Sequence, residues 1–137
     1  MSGEKQGQRG VTLIELLVVM IVIAILASIA IPSYRAHTMK VRRSDAKITL
    51  SNTAQRLERC FTRYNKYNEP KCNITFPIPS EHGAYVITPE QPIGDTAYRL
   101  LATAQAAQAN DTRCGNLTLD QLGLKGKTGT APVAECW

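Results

Sequence analysis

The sequence predicts an α+β fold in which a long, kinked N-terminal helix packs on a small antiparallel β-sheet and a disulfide bond closes the C-terminal segment. Three observations lead to this fold class. Residues 11–31 form an apolar run, and apolar residues continue beyond it at helical spacing. After Cys72, prolines and glycines are interleaved with short β-prone runs. All four cysteines lie after the apolar run.

The composition bounds the domain organisation. The 137 residues are 44% hydrophobic and 20% charged, which suits one small domain rather than two. Removing residues 1–31 leaves 106 residues, close to the lower range for a domain that folds independently. Cross-links between cysteines would help to stabilise such a domain.

The start of the chain indicates export, because a polar segment with two basic residues precedes residues 11–31, which are long enough to cross a membrane. One alternative is an ordinary secretory signal cut after Ser28–Ala30, which would leave a mature chain beginning at Ile31. Two features argue against it. The apolar run exceeds the usual length of about 7–15 residues, and it contains Glu15.

Glu15 is a functional candidate, because an ionised carboxylate in a bilayer costs about 2.5–3.5 kcal/mol on insertion scales. A cut after Gly10 would create a positive amino group on Val11, four residues before Glu15. Within one helix these charges have i, i+4 spacing, and the amine of one chain could also approach Glu15 of a neighbouring chain. Either pairing lowers the cost of burying the carboxylate.

The segment Gly10–Glu15 reads GVTLIE, and the apolar run after it ends at Pro32. This pattern resembles the class III signal of type IV pilins and type II secretion pseudopilins. The resemblance implies that a membrane peptidase cuts between Gly10 and Val11 and methylates the new amine of Val11. It also implies that Glu15 guides docking of subunits into a filament. Family members usually have phenylalanine where this chain has Val11.

The same resemblance implies the domain organisation of a type IV pilin. Residues 1–10 would be a leader removed by prepilin peptidase, and residues 11–31 would be the transmembrane and assembly half of the helix. Residues 32–137 would be a periplasmic globular domain.

Beyond Pro32, which is predicted to kink the helix, the apolar residues recur at gaps of three and four. Basic residues fall mostly between them, so one face can pack while another stays in water. One helix from about residue 12 to about residue 65 would span roughly 80 Å, more than its own domain can cover. The apolar residues of this second half are Ala46, Leu50, Ala54, Leu57, Phe61 and Tyr64.

The segment after Cys72 predicts short strands in an antiparallel sheet against the helix. Tyr85 with Ile87, and Tyr98 with Leu100, are expected to bury their side chains on the apolar stripe of the helix. The predicted strands are Ala84–Thr88, Ala97–Thr103 and Gly115–Leu119, with Gln121–Lys125 as a shorter fourth candidate.

The even number of cysteines on the exported side predicts two disulfides formed in an oxidising compartment. Four cysteines allow three connectivities, and we favour the sequence-local pairs Cys60–Cys72 and Cys114–Cys136. The sequence around the last two cysteines and the turn at residues 123–126 also resemble minor pilins of the PilE type.

The net charge of +5 is unevenly distributed. Residues 35–71 contain ten basic and three acidic residues, a net charge of +7, whereas residues 72–137 contain four basic and six acidic residues, a net charge of −2. The basic segment is typical of a solvated helix face. DNA-uptake minor pilins also resemble this chain, so three cations near the closed segment are candidate phosphate contacts: Arg113, Lys125 and Lys127.

The sequence predicts no catalytic residue, cofactor or metal site, because His37 and His82 stand apart and no Cys-x2-Cys pair or phosphate-binding glycine loop occurs. The favoured function is a structural, minor subunit of a type IV pilus that supports pilus biogenesis, twitching motility and adhesion. The alternatives are a DNA-binding minor pilin, a type II secretion pseudopilin and a membrane-tethered domain.

The predicted location is the bacterial inner membrane before assembly and an extracellular pilus fibre afterwards. The predicted partners are other pilin subunits, prepilin peptidase, the inner-membrane assembly machinery, membrane lipid and, in the DNA-uptake alternative, DNA.

Overall fold

The computed structural model describes residues 10–137, so most of the predicted leader lies outside the described residues. One long helix is followed by a small antiparallel sheet, as the sequence predicts, and the sheet has five strands rather than the three or four expected. One 3-10 turn, Pro70–Cys72, lies between the helix and the sheet, and another, Ala106–Asn110, lies between the third and fourth strands. The elements are α1 (Leu13–Tyr64), β1 (Ile78–Pro79), β2 (Tyr85–Pro89), β3 (Arg99–Ala104), β4 (Leu117–Asp120), β5 (Lys125–Lys127) and α2 (Val133–Cys136).

Helix α1 contains 52 residues, within one residue of the predicted bounds at each end. Its start carries the Thr-x-x-Glu sequence of a capping box. The backbone N–H of Glu15 donates to Oγ1 of Thr12 at 3.3 Å, and Oε2 of Glu15 lies 3.5 Å from the backbone nitrogen of Thr12. Helical structure continues through Pro32, and the kink there stays a prediction.

The contacts within the chain divide it into two units, with the boundary between His37 and Thr38. In the first unit, every large apolar side chain between Val11 and Ile31 is at least 48% exposed. None of the most apolar part of α1 is buried within the protein. By length and composition, this part of the helix can cross a membrane.

The second unit, residues 38–137, has its own core between α1 and the sheet. The strands follow one another in the order β1-β2-β3-β4-β5. Their register places Ile87 opposite Ala102 and Leu100 opposite Leu119, so apolar side chains share the face that meets the helix. The fully buried apolar residues include Ala46, Leu50, Leu57, Tyr85, Ile87, Leu100, Ala102 and Leu117.

The predicted sheet face is confirmed by this core, and so is the predicted helix stripe as far as Phe61, with Ala54 and Phe61 partly buried. Tyr64, the last predicted residue of the stripe, lies outside the core, beside Arg63. A ring cluster completes the core at the end of α1. Tyr67 stacks on Phe61 with ring centroids 4.6 Å apart and meets Tyr98 edge-on at 4.8 Å.

The predicted and observed strands differ at the two edges of the sheet. The fourth candidate, Gln121–Lys125, is wrong, because Oδ1 of Asp120 accepts the backbone N–H groups of Leu122 at 3.0 Å and Leu124 at 2.9 Å. These bonds close a turn, and β5 begins only at Lys125. The sequence also missed β1, a two-residue edge strand with a proline, a position where prolines are tolerated.

Both disulfides lie in the second unit. Cys60–Cys72 joins α1 to the first 3-10 turn with Cα atoms 5.6 Å apart, and Cys114–Cys136 joins the loop before β4 to α2 at 5.5 Å. Every core residue lies after Thr38 as well. Residues 38–137 therefore have the packing and the cross-links to fold without the apolar half of α1.

Candidate functional site

The predicted assembly end of the chain presents Val11 and Glu15 on the surface of the first unit, with Val11 71% exposed. Among the described residues, Glu15 makes hydrogen bonds with Thr12, in the capping box. The carboxylate therefore helps to start the helix, and its exposure leaves it accessible to another molecule. Its role toward a second subunit, like the cleavage between Gly10 and Val11, stays a prediction.

The three cations predicted as DNA contacts lie around the last residues of the chain. Arg113 forms an ion pair with Glu135, and Nζ of Lys125 lies 5.3 Å from the ring centre of Trp137. Lys127 donates to the carbonyl of Gly129. Each of these charges already has an intramolecular partner, so each contributes to holding the closed segment.

This closed segment packs tightly. Nε1 of Trp137 donates to the carbonyl of Gly126 at 2.9 Å, and the backbone of Gly129 donates to Cys114 at 3.0 Å. A Cβ at Gly129 would lie 2.2 Å from the carbonyl oxygen of Arg113, so only glycine fits this approach.

A second basic surface, which the sequence predicts only as part of a solvated helix face, lies at the end of α1. A groove of about 280 Å³ is lined by Arg56, Arg59 and Arg63 of the helix, by Lys71 and by the Cys60–Cys72 disulfide. We call this surface the basic groove. The three arginines have i, i+3, i+7 spacing, which places them on one face of the helix. That spacing was the signal in the sequence that could have found them.

None of the four cations of the basic groove forms an ion pair in the part of the chain that the structure describes. Arg63 lies over the ring of Tyr64, 5.6 Å from its centroid. Glu58 belongs to the same stretch of helix, but its carboxylate accepts hydrogen bonds from the hydroxyls of Tyr67 at 3.1 Å and Tyr98 at 3.0 Å. Burial and these bonds to Glu58 raise the pKa of both tyrosines, so their hydroxyls stay protonated and donate to the carboxylate.

The groove is partly organised by hydrogen bonds to backbone carbonyls. Nη2 of Arg56 donates to Asn73 at 3.2 Å, and Nε of Arg59 donates to Gln55 at 3.3 Å. Most guanidinium N–H groups remain available, because each arginine has five. The arrangement suits a phosphate or carboxylate group that bridges neighbouring arginines.

A buried ion pair connects the other end of the amphipathic helix half to the loop between the Ala106–Asn110 turn and β4. Nε and Nη2 of Arg43 donate to the two carboxylate oxygens of Asp111 at 2.6 and 2.7 Å. The side chains are 12% and 1% exposed. Asp111 also accepts from the backbone N–H of Cys114 at 3.2 Å and from Nε2 of Gln108 at 3.2 Å.

Burial alone would raise the pKa of Asp111, but hydrogen bonds from Arg43 and from backbone N–H groups hold it below its usual range. This carboxylate is therefore ionised at neutral pH. It holds the helix, the Ala106–Asn110 turn and the first cysteine of the second disulfide together.

A third cluster surrounds His82, in the turn between β1 and β2. Asp45 of α1 accepts the backbone N–H of His82 at 3.1 Å, and its other oxygen lies 3.6 Å from Nδ1 of the imidazole. Glu81 lies beside them. The sequence could not bring these residues together, because Asp45 and His82 are 37 positions apart.

Comparisons with known proteins agree with this architecture. Residues 32–118 match the family described as "Type IV minor pilin ComP, DNA uptake sequence receptor". Residues 5–31 match the prokaryotic N-terminal methylation motif. The second match covers the predicted cleavage site and the apolar run, and the first covers most of the globular domain.

The type IV major pilin protein PilE1 of Neisseria gonorrhoeae is 28% identical over 81 residues, which are 58% of this chain and 49% of PilE1. The chain thus spans about half the length of the curated relatives it matches. Among solved structures, the non-core minor pilin PilV of Neisseria meningitidis has a TM-score of 0.50 at 20% identity, covering 70% of this chain and 92% of PilV. A type IV pilin from Shewanella oneidensis has a TM-score of 0.48 at 28% identity, covering 72% of this chain and 97% of that pilin.

The likeness to PilV concerns the fold, a long N-terminal helix against an antiparallel sheet. The family match extends over more than half of the chain and includes the first disulfide and Cys114 of the second. By this match and by the methylation motif that precedes it, the chain belongs to the ComP family of type IV minor pilins.

Proposed function

We propose that this chain is a minor subunit of a type IV pilus, held in the inner membrane by the first half of α1 and then assembled into the fibre. One observation carries the proposal: the apolar side chains of residues 11–31 are exposed, while residues 38–137 have a core that does not use them. Burying apolar surface stabilises by about 25 cal/mol per Å². Lipid supplies that burial before assembly, and the helices of neighbouring subunits supply it in the fibre.

The proposal assigns a leader to residues 1–10, a membrane and assembly segment to residues 11–31 and a periplasmic domain to residues 32–137. Prepilin peptidase cuts between Gly10 and Val11 and methylates the new amine. The match to the methylation motif supports this assignment. The other partners are fellow pilins and the inner-membrane assembly machinery.

Intact-mass measurement on chain purified from sheared fibres tests the cleavage. We expect a mature chain that begins at a methylated Val11, because only this cut places a cation beside Glu15. Gly10→Ala is expected to leave the full-length precursor in the membrane and to remove the chain from fibres. A mature chain beginning at Ile31 would contradict the proposal, because it lacks the assembly helix.

DNA binding is a second candidate function, favoured by the four cations that line the basic groove and by the name of the matched family. Phosphate groups bind clustered Lys and Arg with release of counterions, and the logarithm of the binding constant falls by about 0.9 per contact for each tenfold rise in salt. Four contacts in the groove would give a slope of about −3.6. This predicts a loss of roughly a hundredfold between 50 and 200 mM salt.

The test uses residues 38–137 and a DNA duplex at several salt concentrations. Two double variants remove the same charge from different surfaces: Arg59→Gln with Arg63→Gln in the groove, and Lys125→Gln with Lys127→Gln on β5. We expect the groove variant to weaken binding and to reduce the salt slope by about 2, because two phosphate contacts are lost. The β5 variant is expected to change binding less, because Lys125 and Lys127 lie in the segment 72–137, whose net charge is −2, whereas the groove cations lie in the segment 35–71, whose net charge is +7.

The opposite order of effects would assign DNA binding to the surface of Arg113, Lys125 and Lys127 instead. Absence of binding at low salt would leave the filament role alone.

A further inference from the structure

The three side chains around the β1–β2 turn have the composition of a metal site. Asp45 of α1, Glu81 and His82 each contribute one donor atom, and these atoms all lie within 4.8 Å of one another. We propose that Asp45, Glu81 and His82 bind a divalent transition-metal ion of the Zn²⁺ class. This inference is independent of the pilus role and of DNA binding.

The turn that holds the site is rigidly built. The backbone of Ser80 donates to Tyr85 at 2.8 Å, and the backbone of Gly83 donates to Ser80 at 2.9 Å. Gly83 has a φ of +68°, a conformation that glycine adopts without strain. The bond from the backbone of His82 to Asp45, at 3.1 Å, then fastens this turn to α1. Two ligands from distant parts of the chain are thus placed before any ion arrives.

The donor spacing fits a transition-metal ion. Oδ1 of Asp45 lies 3.6 Å from Nδ1 of His82, too far for a normal hydrogen bond. Two ligands bound at about 2.0 Å in tetrahedral geometry lie about 3.3 Å apart, so only a small movement closes the pair on an ion. Glu81 is exposed, and one of its carboxylate oxygens lies within 4.8 Å of the other two donor atoms, so it can serve as the third ligand.

The donor types select the class of ion. One imidazole and two carboxylates suit Zn²⁺ and its first-row neighbours, whereas Ca²⁺ and Mg²⁺ prefer oxygen donors throughout. Asp45 is buried and holds its position, while the His82 side chain is 76% exposed. Further coordination positions therefore face solvent, where water can fill them.

Residues 38–137 provide a direct test, because His82 is the only histidine in this segment of the sequence. The described cysteines are all in disulfides, so no thiol competes for the ion. Isothermal titration with Zn²⁺ is expected to show one ion bound per domain, with Mg²⁺ as the comparison ion giving little heat. His82→Asn is expected to lower the Zn²⁺ affinity at least about tenfold, since even changes outside the first ligand shell have effects of that size.

Glu81→Gln is expected to weaken Zn²⁺ binding by a smaller factor, and Glu90→Gln, an exposed acid elsewhere, serves as the matched control that leaves it unchanged. Asp45 is not substituted in this experiment, because it also binds the backbone of the turn at His82. Thermal unfolding without metal checks that each variant is folded. The proposal is overturned if the parent domain shows no saturable Zn²⁺ binding, in which case the cluster is a histidine–carboxylate pair only. It is also overturned if folded His82→Asn binds Zn²⁺ as the parent does.

Discussion

Asp111→Ala is expected to lower the free energy of unfolding of residues 38–137 by roughly 3–5 kcal/mol, the range found when one partner of a buried ion pair is removed. The substitution leaves the mostly buried guanidinium of Arg43 without its carboxylate. It also removes the acceptor for the backbone N–H of Cys114. Urea unfolding with both disulfides intact measures the effect.

Glu135→Ala is the matched control for this measurement. It breaks the ion pair with Arg113, whose side chains are 65% and 50% exposed for arginine and glutamate, so the expected loss is below about 1 kcal/mol. Equal losses in the two variants would mean that the buried pair adds little beyond an exposed one.

The carboxylate of Asp111 also predicts how the stability of the domain depends on pH. Folding lowers the pKa of Asp111 below its value in the unfolded chain. The stability that this carboxylate contributes is therefore fully present at pH values above the unfolded-state pKa, and it is lost as the pH falls through the folded-state pKa. The parent domain is therefore expected to lose stability on acidification below about pH 4, a range set by the usual aspartate pKa. Asp111→Ala should lose less over the same interval, because it lacks this titrating group.

Glu15→Ala is expected to remove the chain from fibres while leaving it in the membrane. The carboxylate is unfavourable in lipid, so membrane insertion should be kept or improved. Processing after Gly10 should continue, because the leader is unchanged. Immunoblots of sheared fibres and of membranes measure the distribution of the subunit.

The capping box gives this experiment a sharper control, because Glu15 also contacts the backbone of Thr12. Glu15→Gln keeps a side chain that can complete the capping box but removes the charge. If pairing with the Val11 amine recruits the subunit, the Glu15→Gln variant should be excluded from fibres, as the Glu15→Ala variant is. If Gln assembles normally and Ala does not, helix capping is the role of this position. Normal assembly of both variants would contradict any assembly role for Glu15.

The long helix and the central strands could be predicted because their signals are local and repeated. Apolar spacing along α1 gave its bounds within one residue at each end, and alternation in β2 and β3 indicated which side chains face the core. The sheet edges could not be predicted in this way. The start of β5 depends on how the side chain of Asp120 bonds to the following turn.

The candidate sites also differ in whether their signals are local in the sequence or depend on the fold. The segment Gly10–Glu15 is contiguous, so its pattern was visible in the sequence. The spacing of the groove arginines was visible too, but their lack of acidic partners depends on where Glu58 points. That carboxylate is held by Tyr98, 40 residues away in the chain. The cluster at His82 likewise exists only because the sheet folds back on α1.

The position of the basic groove has a mechanical consequence. Three of its four cations are side chains of α1, and the fourth, Lys71, is adjacent to Cys72, which is covalently joined to that helix through Cys60. A ligand pulled while bound there would load the helix directly. Tension would run along the covalent backbone of α1 toward Glu15 without crossing any hydrogen bond between β-strands. The sheet could then keep its structure under a force that would unravel it if the ligand were bound to β5.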